Sequence, residues 1–342
     1  MITATINTAL VYSGPGAGTR SINTALQSLR HALPTLQIST ITPEQLLEGS
    51  WTRSCRLLVM PGGADLPYCR QLNGRGTAII TDFVRNQGGS YLGLCAGAYF
   101  ACSRVEFEVG HPTLQVVGDR ELCFFDGIAT GSLYPGFDYQ SERGAVAAPL
   151  KLLSNSNNGT EELKDYINGG PVFRLAPSGP PLSSSSLHTY KNDVTILATF
   201  SDFKDEPAAA LACHVGLGKA VLCATHPELS ATWLSFPPGA GRSDAVVLTS
   251  DSDTDTSSDH DHHRQDTEEE EEDLLQHHHH HHVTRIKKEL EESSAGRWSL
   301  WIALLQAAGL EEYLTTSSSS AATATQCKCN QGGGGGAPVA LS

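Results

Sequence analysis

The chain has 342 residues, enough for about two domains at ~150 residues each, and is 39% hydrophobic and 18% charged, which suits a globular protein carrying some polar, unstructured sequence. A net charge of −14 argues against nucleic acid as a partner, and no apolar run approaches the ~18 residues that a membrane crossing requires. Much of the acidic excess lies between Asp251 and Glu292, so the folded part is closer to neutral than the total. The 9 cysteines are odd in number and irregularly spaced. The opening MITATINTALVYSG lacks the basic start and long apolar core of a secretory leader. Reduced cysteines and a cytoplasmic protein are therefore expected.

In chain order, Ala9-Leu10-Val11-Tyr12 reads as a strand, and GPGAG (Gly14 to Gly18) turns it into a helix with Ile22, Leu26, Leu29 and Leu33 at helical spacing. Leu36 to Ile41 reads as a second strand, and Pro43 opens a short helix. Leu57-Leu58-Val59-Met60 is an apolar strand that ends in Pro61-Gly62-Gly63. The helix GTAIITDFVRNQ stops at Gly88-Gly89, and the strand Tyr91 to Leu94 breaks into Cys95. Strands alternating with helices predict parallel pairing, with the chemistry at the carboxyl ends of the strands. After Arg104 the pattern changes to short β runs: VEFEV, LQVVG, ELCFF, VFRL and VTILATF. ALACHVGLGKAVLCATHPEL reads as a hairpin around Gly216 and Gly218, and its second strand ends at Thr225-His226-Pro227-Glu228.

From about Pro237 the sequence is low in complexity, with an Asp/Ser/Thr tract, Glu268 to Glu272 and His277 to His282. The expected organisation is an α/β domain over 1–236, a disordered acidic and His-rich insertion over 237–296, a helix over 297–314 that docks on the domain, and a disordered tail over 315–342.

Gly93-Leu94-Cys95-Ala96-Gly97 fits G-x-C-x-G, the cysteine form of a strand-to-helix elbow. Side chains on either side of the elbow would strike the neighbouring strand and helix, and glycine removes that clash. The free N–H groups of the following helix favour a thiolate and can hold an oxyanion. Cys95 then reads either as a nucleophile or as a buried structural thiol, and the pentapeptide supports both. Pro61-Gly62-Gly63 offers backbone N–H groups for the other half of an oxyanion hole, although such a run is first of all a turn. His226 and Glu228, two apart in extended chain, share one side, as a base and its orienting carboxylate must. The alternative is a loop histidine beside a solvated glutamate. NGRGT (Asn73 to Thr77) reads as a turn opening a helix, and Cys327-Lys328-Cys329 is too isolated for structural zinc.

Strand-PGG, strand-G-x-C-x-G and strand-H-P-E, in that order, resemble class I glutamine amidotransferases. The wording of VYSGPGAG, MPGGADLPY, LNGRGTAIITDFVRNQGGSYLGLCAGAYFA, VEFEVG and LYPGFDYQSERGA is similar to the amidotransferase-like region at the N-terminus of eukaryotic, especially fungal, biotin–protein ligases. The resemblance covers most of residues 5–235. It implies a three-layer, flavodoxin-like, mostly parallel sheet with added short β segments. It also implies Cys95 as nucleophile, His226 as general base, Glu228 as its orienter, the N–H groups of Gly63 and Ala96 as an oxyanion hole, and Gly62 and Tyr99 at the substrate pocket. No cofactor or metal is implied. The expected partners are an amide or other small-molecule substrate and a biotin–protein ligase or carboxylase in trans, with neither nucleic acid nor membrane. Glutaminases usually carry glutamine four residues after the nucleophile; here that position is Tyr99, so glutamine is not implied as substrate. No synthase or ligase catalytic domain is recognisable after residue 235. Three readings follow as expectations: a thioester-forming amide or acyl hydrolase, a non-catalytic module that binds or regulates in biotin–protein ligation, and a fragmentary ligase gene product without activity of its own.

Overall fold

β1 (Thr8–Tyr12) is the first of a series of apolar runs that the chain buries as parallel strands. It is followed by α1 (Thr19–Ala32), β2 (Gln37–Ile41), α2 (Pro43–Glu48), β3 (Cys55–Met60), α3 (Asp65–Leu72), α4 (Arg75–Arg85), β4 (Ser90–Leu94) and α5 (Ala96–Ala101). The computed structural model describes residues 7–139, 141–153, 159–175, 180–183, 193–235 and 280–315. Local chemistry sets several of these boundaries. Thr42 and Gln45 form a reciprocal capping box at the start of α2, with Pro43 in its first turn. In β3, Leu57 to Met60 are fully buried, each such side chain contributing about 1.5–3 kcal/mol.

The second half is largely β: β5 (Cys102–Phe107), β6 (Val116–Asp119), β7 (Phe125–Gly131), β8 (Val146–Leu153), β9 (Thr160–Ile167), β10 (Val172–Arg174), β11 (Val194–Phe200), β12 (Ala208–Val215) and β13 (Gly218–Cys223). A nine-stranded sheet runs β2-β1-β3-β4-β13-β12-β11-β8-β9, and a smaller one runs β10-β7-β5-β6. From β2 to β13 every pairing in the large sheet is parallel, and from β13 to β9 every pairing is antiparallel. The parallel half follows the flavodoxin-like order 2-1-3-4-5, with β13 as the fifth strand. The protein is thus an α/β protein whose parallel sheet is extended by antiparallel strands. α1 packs on β1 and β2, whereas α2, α3, α4 and α5 pack among themselves and against β3, β4 and β13.

Residues 280–292 form helix α6, and α7 (Ser294–Ala307) follows after Ser293. The low-complexity insertion expected to reach residue 296 therefore gives way to helix by residue 280. Val283, Ile286 and Leu290 supply an apolar stripe at helical spacing, and the Lys287–Glu291 and Lys288–Glu292 pairs flank it. Residues 237–279 and 316–342, and with them Glu268 to Glu272, His277 to His279, Cys327 and Cys329, lie outside the described residues. α7 packs across β9, β11, β12 and β13 and buries Leu300, Trp301, Leu304 and Leu305 completely. Among the described residues, no helix is long and apolar enough to cross a membrane.

Candidate active site

Adjacent parallel strands lie about 4.8 Å apart, so the ends of β3, β4 and β13, which are neighbours in the sheet, meet in one small region. β3 ends in Pro61-Gly62-Gly63, β4 in Cys95, and β13 leads into His226-Pro227-Glu228.

Cys95 has φ 48° and ψ −100°, a strained conformation for a side-chain-bearing residue, at the junction between β4 and α5. Its backbone is held by a bond from its N–H to the Cys223 carbonyl at 2.9 Å. The two glycines of the elbow are required by contact. A Cβ on Gly97 would lie 2.1 Å from the Met60 carbonyl oxygen, and one on Gly93 2.5 Å from the Gly97 carbonyl oxygen. Ala96 opens α5, so its N–H has no acceptor within the helix.

His226 Nδ1 lies 2.8 Å from Glu228 Oε1, which leaves Nε2 outside that bond, and the Cys95 thiol is near enough to act on the imidazole. Glu228 is 2% exposed and Cys95 6%. Burial pulls the imidazole pKa down, but the Glu228 charge, the neighbouring Cys95 and the bond to Glu228 outweigh it and push the value up to about 10. The His226 ring sits directly over Gly62, where a Cβ would come within 2.2 Å of Cε1. The missing side chain of Gly62 gives the imidazole its place.

Gly63 has φ 146°, and a Cβ there would lie 1.9 Å from the Gly16 carbonyl oxygen. Ala17 and Gly63 form an antiparallel bridge, with the Gly18 N–H donating to the Gly62 carbonyl at 2.9 Å and the Ala64 N–H to the Gly16 carbonyl at 2.8 Å. In such a non-hydrogen-bonded pair the Gly63 N–H points away from its partner strand. GPGAG thus acts as a buttress for the turn after β3.

Tyr99 donates from its hydroxyl to the Gly169 carbonyl at 3.0 Å, and burial, followed by the nearby Cys95, raises its pKa well above the ordinary value. It lines a cavity of about 30 Å³ beside Cys95, Ala96 and Gly63, shared with Asp65, Phe107, Phe137 and Tyr139. That is room for about two waters. A larger, shallow depression of about 460 Å³ lies by the start of α4 and holds no nucleophile. There the Gly74 N–H donates to Glu121 Oε2 at 2.6 Å and the Thr77 hydroxyl to the same oxygen at 2.5 Å, so a carboxylate already occupies the helix N-terminus opened by NGRGT. Among the described residues, no group of three or more His, Cys, Asp or Glu side chains is placed to hold a metal.

Two supporting residues carry no signal in the sequence. Ser21 accepts from the Gly62 N–H at 2.9 Å and donates to Glu228 Oε1 at 3.0 Å. It joins the glycine turn to the carboxylate that orients His226. Arg297, in α7, bonds Asp165 Oδ1 at 2.7 Å through Nε, and its Nη2 donates to the carbonyls of His226 at 3.0 Å and Leu229.

Residues 7–266 match the family described as biotin-protein ligase, N terminal. The biotin–protein ligase of Schizosaccharomyces pombe is 37% identical over 224 residues, 65% of this chain. The chain spans only 33% of that ligase's length. An uncharacterized protein of Chlamydia muridarum is 34% identical over 223 residues, 64% of this chain and 79% of that protein. Among solved structures, a glutamine amidotransferase superposes with a TM-score of 0.41 at 16% identity, over 64% of this chain and 91% of that one. A ThuA-like protein from Bacteroides uniformis gives 0.39 at 11%, over 66% and 84%. With the family match running across most of its length, the chain belongs to the biotin–protein ligase N-terminal family.

Proposed function

We propose that this chain is a cysteine-dependent amidohydrolase that acts through a thioester at Cys95. The observation that carries the reading is the buried line Cys95–His226–Glu228, drawn from the ends of neighbouring strands. An imidazole held as its cation at neutral pH favours a thiolate beside it. The sulfur attacks the amide carbon, and the developing oxyanion is met by the N–H groups of Ala96 and Gly63. Collapse of the tetrahedral intermediate breaks the C–N bond, and His226 gives its proton to the departing amine. Water, losing a proton to His226, then attacks the thioester carbon. The C–S bond breaks, releasing a carboxylic acid and restoring the thiolate. Glu228, through Nδ1, keeps the imidazole in the required orientation throughout. With Tyr99 in the position where glutaminases carry glutamine, we assign the carboxamide of free glutamine no privileged place.

A second reading rests on family membership and the narrow cavity: a binding or regulatory module that serves biotin–protein ligation in trans without chemistry of its own. Incubation of the protein with a metabolite extract separates the two. The hydrolase reading expects amides to be consumed, and a covalent acyl adduct on Cys95 after acid quench, in the wild type and not in Cys95→Ala. The module reading expects identical metabolite profiles for the two proteins.

A further inference from the structure

Resting on the reading of Cys95 as nucleophile, we propose that the site takes an amide carrying a cationic amine beside the reacting carbonyl and rejects one carrying a carboxylate there. Among the described residues, no Lys or Arg side chain lines the cavity, and its one carboxylate is Asp65. Four aromatic residues, Tyr99, Phe107, Phe137 and Tyr139, make up its largest side chains. Ring centroids run in series from Tyr99 to Phe107 at 5.7 Å, Phe107 to Phe137 at 5.1 Å and Phe137 to Tyr139 at 4.8 Å. Aromatic faces carry the negative part of the ring quadrupole and attract cations. Away from the N–H groups of Ala96 and Gly63, which the oxyanion takes, an anion on the Asp65 and aromatic side of the cavity would lose its water and meet a like charge, whereas an ammonium would meet rings and a carboxylate.

Asp65 is paired with Arg120, and the geometry of the pair keeps the positive end out of the cavity. Arg120 Nε and Nη2 both reach Asp65 Oδ2, at 2.7 and 2.6 Å, while Nη1 donates to the carbonyls of Gly118 and Asp119 at 3.0 Å each. The guanidinium is therefore committed behind the carboxylate and is not part of the lining. Burial first, then the charges of Asp65, Cys95 and Glu108, push the Tyr139 hydroxyl up to about 12. Tyr139 is 51% exposed, at the rim where a substrate would enter.

The test uses methanethiosulfonates, which transfer a thioalkyl group to a thiolate with loss of methanesulfinate. The 2-aminoethyl reagent is cationic, the 2-sulfonatoethyl reagent anionic and the methyl reagent neutral. Rates at Cys95 are read by peptide mass mapping at neutral pH and divided by each reagent's rate with 2-mercaptoethanol. The expected order is cationic, neutral, anionic, with about tenfold or more between the extremes at low salt and less at 1 M salt. Asp65→Asn keeps the size of the side chain, leaves the Arg120 charge unneutralised, and is expected to abolish or reverse the order. Equal normalised rates in the wild type, a ratio insensitive to salt, or an unchanged ratio in a folded Asp65→Asn protein would each overturn the proposal. Should Asp65→Asn fail to fold, the wild-type ratio and its salt dependence decide. Slow reaction with all three reagents in the expected charge order would sink the activated-thiol reading while leaving the charge preference standing.

Discussion

The His226 ring fits over Gly62 only because no Cβ is there, since that atom would lie 2.2 Å from Cε1. Gly62→Ala is therefore expected to displace the imidazole from Cys95 while leaving the sheet intact. The measurement is the iodoacetamide rate at Cys95 beside a melting curve: a fall of about tenfold or more in rate with a folded protein is the expected result, one proton-transfer partner being worth 10²–10⁴-fold in catalysis. An unchanged rate would mean that the ring does not govern the thiol. The same imidazole makes stability depend on pH. Its ordinary pKa of 6.5 rises to about 10 in the folded protein, where burial is outweighed by Glu228 and Cys95. A proton is thus bound more tightly in the native state. The stabilisation is complete below pH 6.5 and is lost as the pH climbs through about 10. Urea unfolding of the wild type is expected to show this decline across that window, and His226→Gln is expected to lack it. Parallel curves for the two proteins would contradict the assignment.

α7 reaches the site through Arg297, which is 5% exposed and holds the carbonyls of His226 and Leu229 while pairing with the fully buried Asp165. Arg297→Ala would leave a buried carboxylate without its counter-charge. The expected loss is about 3–5 kcal/mol in urea unfolding, together with slower reaction at Cys95. A loss below 1 kcal/mol would show that the helix is not what fixes the turn after β13. The elements differ in how much of them could be read beforehand. β3, β4 and β13 are continuous apolar runs bounded by glycine or proline, because a parallel strand is covered on both faces. α3 escaped notice because Pro67 interrupts a polar stretch, yet Pro67 lies in the first turn, where its missing N–H costs little. β9, with Glu161, Glu162 and Lys164, carries too little apolar pattern at its start to be read as a strand. The ends of β3, β4 and β13 were therefore legible, as was their order in the sheet. Ser21 and Arg297 were not, since a serine within a helix and an arginine 71 residues from His226 belong to no motif, and only the fold makes them neighbours of the site.

At the scale of the whole molecule, the sheet gives the site its placement and the extra strands give it a wall. β4 stands between β3 and β13, so the residue after it has a neighbour on each side: the glycine turn on one and the histidine turn on the other. The smaller sheet contributes Val105 and Phe107, in β5, to the cavity wall. Among the described residues, the other buried thiols are suppressed. Burial raises the Cys55 and Cys213 pKa values to about 12 and that of Cys69 to about 11, and drives Cys102 and Cys223 higher still. Selective labelling follows as the most direct measurement of the central claim, that Cys95 is a nucleophile poised by His226. Brief treatment of the native protein with iodoacetamide at pH 7, followed by peptide mapping of residues 7–235, is predicted to modify Cys95 first, faster than a free cysteine peptide and in a His226-dependent way. Labelling of Cys95 no faster than that peptide, or at the same rate in His226→Ala, would contradict the account.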